Sequence, residues 1–226
     1  MKRNIGKINI FENIKTIFLD YDGTIHNSIK IYGPAFRKSY NYLVNLGEAP
    51  EKKWNDEEIS YWLGFSSKAM WEEFMPNIDP DIRDKASKII GREIVSQINS
   101  GKAVLYPHAI ETLRYLKDKG YNLVFLSNCS IGYRDKSKEI FGLDSYFVEM
   151  ACSEEYHYTP KYKILAILKK KYPTDMVMIG DRFQDIEAGK KNNILTIGCN
   201  YGFHKPGELD EADIRIDSIK ELKYIF

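Results

Sequence analysis

The feature that most constrains this chain is a set of short apolar runs, each stopping abruptly at polar residues. They are TIFLDYD (Thr16–Asp22), NLVFLSN (Asn122–Asn128), YFVEMACS (Tyr146–Ser153), MVMIGD (Met176–Asp181), ILTIGCN (Ile194–Asn200) and the weaker DIRIDS (Asp213–Ser218). The first, second and fourth are nearly continuous in apolar character. A strand that is apolar on both faces must be covered on both faces, as in a parallel sheet packed between helices. Helical patterns fill the gaps. HAIETLRYLKDKG carries Ile110, Leu113 and Leu116 on one face, with Pro107 before it and Gly120 after it as start and stop signals. KYKILAILKKKY puts Ile164, Leu165, Ile167 and Leu168 on one face, and FQDIEAGKKNN gives a third helix. From about residue 106 onward strands and helices alternate. That pattern predicts an α/β fold with a doubly wound, Rossmann-like parallel sheet.

One long stretch interrupts it. Between Ile29 and Leu105 there is no convincing strand, but AFRKSYNYLVNLG, NDEEISYWLG, SKAMWEEFM and PDIRDKASKIIGREIVSQINSG are all helix-like. The expectation is a core domain from residues 16–28 and 106–226, an inserted all-helical domain over 29–105, and an N-terminal extension over 1–15. A chain of 226 residues is long enough for both bodies.

Composition excludes several roles. A net charge of +1, with lysines and acids interleaved, argues against nucleic acid or membrane binding by bulk charge. No window approaches the length of an apolar membrane span, and polar residues interrupt MKRNIGKINIFENIKT too often for a secretory leader. Cys129, Cys152 and Cys199 have no metal-ligand spacing and read as small buried residues of a reducing cytosol. A cytoplasmic monomer or weak homodimer is expected.

The polar ends of the strands carry the chemistry. In open α/β sheets ligands bind at the carboxyl ends of the strands. The first strand ends Asp20-Tyr21-Asp22-Gly23-Thr24, the second Ser127-Asn128, and the fourth Gly180-Asp181, with Asp185 on the opening turn of the next helix. Asp20 and Asp22, two residues apart, repel unless one is protonated or both face a cation. Four converging carboxylates call for a hard cation held by oxygen, and magnesium fits an incompletely enclosed site. A hydroxyl (Ser127), an amide (Asn128) and a lysine suit a phosphate. One carboxylate can then attack phosphorus while another passes a proton. An EF-hand loop is excluded by Thr24 and Ile31 at its fifth and twelfth positions, counting from Asp20.

These residues resemble the haloacid dehalogenase superfamily, in its phosphatase branch with a helical cap after the first strand. DYDGT matches its DxDGT motif, LSN its second motif and GDRFQD its GDxxxD motif; GDRFQDIEAGKKNNILTIGCNYGF is similar to the phosphoglycolate-phosphatase-like subgroup. The resemblance runs from about Thr16 to the end. It implies a magnesium-dependent phosphatase acting on a small phosphorylated metabolite. Asp20 would be the nucleophile and a metal ligand. Asp22 would be the acid/base, lending its main-chain carbonyl to the metal. Asp181 would bind the metal directly, and Asp185 would bind it through water or support the residues that do. Ser127 would hold the phosphoryl group with Asn128 beside it, Gly23 would allow the sharp turn, and Thr24 would orient the loop.

The basic position departs from the family pattern. Aligning Pro160 with the second proline of Lys-Pro-x-Pro selects His157, whereas distance to the apolar helix face selects Lys161, which we favour over Lys163 and His157. A lysine at a helix N-terminus opposes the helix dipole, which suggests a function for it. His26 reads as a loop or surface histidine near the hand-over to the insertion. Lys68 and Arg37 read as solvated. Trp62-Leu63-Gly64-Phe65-Ser66-Ser67-Lys68 breaks helical periodicity and is a candidate for the loop that reaches substrate. The competing readings are a phosphomutase of the same fold, similar to beta-phosphoglucomutase, and a non-enzymatic phosphate-binding module.

Overall fold

The computed structural model describes residues 9–226. Six strands form one sheet: β1 (Ile14–Leu19), β2 (Asn122–Ser127), β3 (Glu149–Cys152), β4 (Asp175–Gly180), β5 (Leu195–Cys199) and β6 (Ile214–Ile216). Their order is β3-β2-β1-β4-β5-β6, and every neighbouring pair is parallel. The chain winds outward from β1 in one direction, then returns and winds outward from β4 in the other. The crevice between the ends of β1 and β4 is therefore the switch point at which such sheets bind ligands.

The continuous apolar runs cover two layers at once. Ile17 and Leu19 belong to one core cluster, with Leu113, Leu116, Phe125 and Ile197, whereas Phe18 belongs to another, with Val124, Leu126, Leu165 and Met178. This is the two-residue period of a strand inside a sequence that does not alternate in polarity. β1 starts at Ile14, two residues before the expected run. Phe11, from the segment read as an extension, is 1% exposed and sets its ring edge-on to Phe226 at 5.9 Å. The rest of that expectation, residues 1–8, lies outside the described residues.

The insertion after β1 carries four helices: α1 (Ile29–Asn45), α2 (Asp56–Ser60), α3 (Ser67–Phe74) and α4 (Pro80–Asn99). They enclose their own apolar cluster around Leu43, Met70, Trp71, Ala86 and Ile90. α4 begins where Asp79 accepts the N–H groups of Asp81 and Ile82, with Pro80 at the first helical position. The chain enters and leaves this insertion side by side. Asn27 N–H donates to the Val104 carbonyl and Tyr106 N–H to the Ile25 carbonyl, both at 2.9 Å.

The remaining helices are α5 (Ala109–Asp118), α6 (Ile131–Phe141), α7 (Lys161–Leu168), α8 (Phe183–Lys191) and α9 (Leu222–Ile225). α6 was not among the expected helices, because IGYRDKSKEIF has almost no apolar face and buries only Ser137. Its boundaries come from local chemistry: Ser130 caps the Tyr133 N–H, and Gly142 ends it at φ 59°. The three cysteines are buried and free. No helix among the described residues is long and apolar enough to cross a membrane.

Candidate active site

The loop after β1 is a tight turn that brings the chain back on itself. The Tyr21 carbonyl accepts the N–H groups of Thr24, Ile25 and His26. Gly23 sits at φ +82°, and a Cβ there would overlap the Asp181 carboxylate. Glycine is required on both counts, conformation and space. The turn leaves Asp20 buried at the switch point, its N–H donating to the Ile179 carbonyl at 2.9 Å.

Three carboxylates meet there. Asp20, Asp181 and Asp185 are all buried, and each offers an oxygen within 4.8 Å of the others. Lys161, the first residue of α7, donates through Nζ to Asp20 Oδ1 at 2.7 Å and to Asp185 Oδ1 at 2.6 Å. The other oxygen of Asp185 accepts the Arg182 N–H at 3.0 Å. Asp181 accepts the Phe203 N–H at 2.6 Å and, at 3.4 Å, the Thr24 hydroxyl. Lys163 and His157, the rival basic residues, are both exposed. His157 and Tyr158 form a turn with φ of 52° and 56°, which leads to α7.

The electrostatics are those of a site short of positive charge. Burial pushes the Asp20 carboxyl up to about 7, and although Lys161 pulls it down, Asp185 and Asp22 push it further up. Burial, Asp20 and Asp185 hold Asp181 well above the ordinary carboxylate range. Burial opposes the charge on Lys161, but Asp185 and Asp20 outweigh it and raise the ammonium above the usual lysine range. One ammonium thus faces three carboxylates and does not reach Asp181. An oxygen-only donor set with unneutralised charge fits a hard divalent cation such as magnesium.

Asp22 is separate from this cluster. Its carboxylate accepts the Tyr133 hydroxyl at 2.8 Å and faces a cavity between the sheet edge and the helical insertion. Tyr133 also lies 2.8 Å from His26 Nδ1. His26 is fully buried, stacked on Tyr21 at 5.0 Å, which corrects the expectation of a loop or surface histidine. Its burial follows from aromatic neighbours on α6, which its own local sequence does not reveal. Ser127 ends β2 at 1% exposure, and Asn128 follows it into the cavity wall.

The segment Tyr61–Phe65 is fastened to the core from two sides. Asn128 Nδ2 donates to the Gly64 carbonyl at 2.9 Å. Arg182, 1% exposed, donates through Nη1 to the carbonyls of Tyr61 and Leu63, while Nε and Nη2 bind both carboxylate oxygens of Glu208. Gly64, at φ +86°, passes so close that a Cβ would lie 2.7 Å from Arg182 Cγ. Asn128 and Arg182 follow immediately after the motif residues Ser127 and Asp181. Lys68 and Arg37 take no part: Lys68 is exposed beside Glu72, and Arg37 binds the Trp54 carbonyl and Asp56.

The sequence matches the model of haloacid dehalogenase-like hydrolases over residues 14–193. The chain belongs to that family. As a haloacid dehalogenase-like hydrolase it is an enzyme, and its curated relatives include phosphoglycolate phosphatases. That of Psychrobacter arcticus is 26% identical over 200 residues, covering 83% of this chain and 84% of the relative. That of Vibrio vulnificus is 27% identical over 221 residues, covering 93% and 95%. A predicted phosphatase from Clostridium acetobutylicum has the same fold, with a TM-score of 0.80 at 22% identity over 94% of this chain and 98% of the other. CbbY from Rhodobacter sphaeroides, crystallised with phosphate, gives 0.76 at 19% identity over 92% and 96%.

Proposed function

We propose that this chain is a magnesium-dependent phosphatase that hydrolyses a small phosphorylated metabolite through an aspartyl-phosphate on Asp20. The observation that carries the reading is the separate placement of two acids two residues apart. Asp20 lies in a buried cluster short of positive charge, and Asp22 faces the adjoining cavity on its own.

Asp20, Asp181 and Asp185, with the main-chain carbonyl of Asp22, would hold the magnesium, which when bound neutralises carboxylate charge and that of the phosphoryl oxygens. Asp20 then attacks phosphorus as the P–O bond to the alcohol breaks. Asp22, protonated for this step, gives its proton to the departing oxygen. In the second half Asp22 takes a proton from water, the water oxygen attacks phosphorus, and Asp20 is released with inorganic phosphate. Ser127 and Lys161 hold the phosphoryl oxygens, whose charge is the main demand of phosphoryl transfer. Lys161 also orients Asp20 through its 2.7 Å bond. The insertion acts as a cap, keeping bulk water from the site.

The direct test is phosphate release from p-nitrophenyl phosphate, which should stop with chelator and return with magnesium; activity indifferent to chelator would refute metal dependence. Magnesium at a hundredfold excess over its Kd should stabilise the fold by about 2.7 kcal/mol, raising the thermal midpoint by roughly 5–10 °C. A midpoint unmoved by magnesium counts against the cation site.

Tyr133 is assigned as the residue that orients Asp22. Tyr133→Phe removes one hydroxyl and keeps the ring. It should lower kcat for an alkyl phosphate by about tenfold, because an alkoxide needs its proton. With p-nitrophenyl phosphate, whose leaving group needs none, the change should stay below about twofold. Equal losses on both esters would reduce Tyr133 to a packing role.

A further inference from the structure

The cavity above Asp22 has a volume of about 360 Å³, within the range of small-molecule sites. Ile31, Tyr32, Trp62, Phe65, Met70 and Ile90 make much of its wall. Among the described residues, Asp22 is the only charged side chain that lines it, and no lysine, arginine or histidine does so. Lys68, next to Ser67 of the wall, is exposed beside Glu72, and three further cations have partners of their own. Lys161 is buried between Asp20 and Asp185, Arg182 is held by Glu208 and two carbonyls, and Lys205 lies over the Tyr61 ring.

A carboxylate on the leaving group would be desolvated in this cavity without a cation and set near the Asp22 carboxylate. An aromatic ring instead finds Tyr32, Trp62 and Phe65 in the wall.

We infer that the substrate is a phosphate monoester of an uncharged alcohol that carries a flat ring. This inference rests on the phosphatase reading and names its substrate class. The ring lies against Trp62, Phe65 and Tyr32, and the phosphate reaches past Asp22 to Asp20. The class excludes phosphoglycolate, the ester in the names of the curated relatives, whose leaving group carries a carboxylate.

The experiment compares kcat/KM, with magnesium, for uridine 5′-monophosphate and 1-naphthyl phosphate against 2-phosphoglycolate and 3-phosphoglycerate. The ring-bearing neutral esters should exceed 2-phosphoglycolate by at least about a hundredfold. Equal or better turnover of 2-phosphoglycolate overturns the inference. Trp62→Ala removes one ring of the wall. It should lower the preference for uridine 5′-monophosphate over 2-phosphoglycolate at least about fivefold; an unchanged preference overturns the placement of the ring. If no ester is hydrolysed, the phosphatase reading fails and selectivity is read by binding alone. Asp20→Asn should then bind uridine 5′-monophosphate at least about tenfold more tightly than 2-phosphoglycolate, and the reverse order overturns the inference.

Discussion

Replacing Asp20 with asparagine should lower phosphate release from p-nitrophenyl phosphate by about 10,000-fold or more, the scale of loss when a covalent nucleophile is removed. The amide keeps the shape of the carboxylate but cannot form the acyl phosphate. The fold should survive, because Lys161 retains Asp185 as a partner at 2.6 Å. Stability supplies a second readout. The Asp20 carboxyl is raised from 3.8 to about 7, so in metal-free protein the folded state holds this proton more tightly than the unfolded chain does. The wild-type fold therefore loses stability as pH rises from about 4 to about 7. Asparagine has no proton to lose there, so metal-free Asp20→Asn should show a flatter thermal midpoint between pH 5 and 8. Retained turnover would remove Asp20 as nucleophile. A midpoint with the wild-type pH slope would remove it as the source of that slope.

Arg182→Ala should cost about 3 kcal/mol, as expected when one partner of a buried ion pair is removed and the other is left behind. For a chain of this size that is a fall of roughly 6–12 °C in the thermal midpoint. Glu208 loses both of its bonds to the guanidinium, and the carbonyls of Tyr61 and Leu63 lose their donor. The second effect is local. Tyr61–Phe65 keeps the Asn128 bond to Gly64 and the Lys205 contact with the Tyr61 ring but loses both bonds from the guanidinium, so limited proteolysis should cut this segment faster than in wild type. The cavity wall becomes less well placed, and kcat/KM should fall by about tenfold to a hundredfold. Arg182→Lys keeps the charge but not the planar fork and should recover only part of the loss. Unchanged proteolysis and kcat/KM in Arg182→Ala would show that the segment is positioned by packing alone.

The sheet could be read from the sequence because its information is local. Each strand is an apolar run ended by Asp, Ser or Asn, and parallel pairing carries those ends to one edge. Asp20, Asp181 and Asp185 each lie at or just beyond such an end, so reading the ends brought these three together, and Ser127 ends the neighbouring strand. The residues that position the site were not readable in that way. Arg182 lies inside the GDRFQD motif, but its partners are Glu208 and two carbonyls of the insertion, far away along the chain. His26 follows a turn that resembles an exposed loop, and its burial depends on stacking against Tyr21 and on Tyr133 from a helix with almost no apolar face. Long-range pairing of polar groups leaves no periodicity in the sequence. A positive-φ glycine such as Gly64 was a signal within the segment already read as non-helical, but it does not say what approaches so closely.

The paired linkers at residues 25–27 and 104–106 have one more consequence. Because the chain leaves and rejoins the core at hydrogen-bonded neighbours, the sheet is joined to the insertion as it would be to a surface loop. The clustered carboxylates of Asp20, Asp181 and Asp185 lie on one side of this neck, and most of the cavity wall lies on the other. Substitutions in α1, α3 and α4 that reshape the wall need not move Asp20 or Asp181, since distant sites contribute nearly independently. On the proposed mechanism the neck thus separates two rates of change: the half assigned to breaking the P–O bond can stay fixed while the half assigned to choosing the alcohol drifts, which makes overall similarity to a relative a better guide to the reaction than to the molecule it consumes.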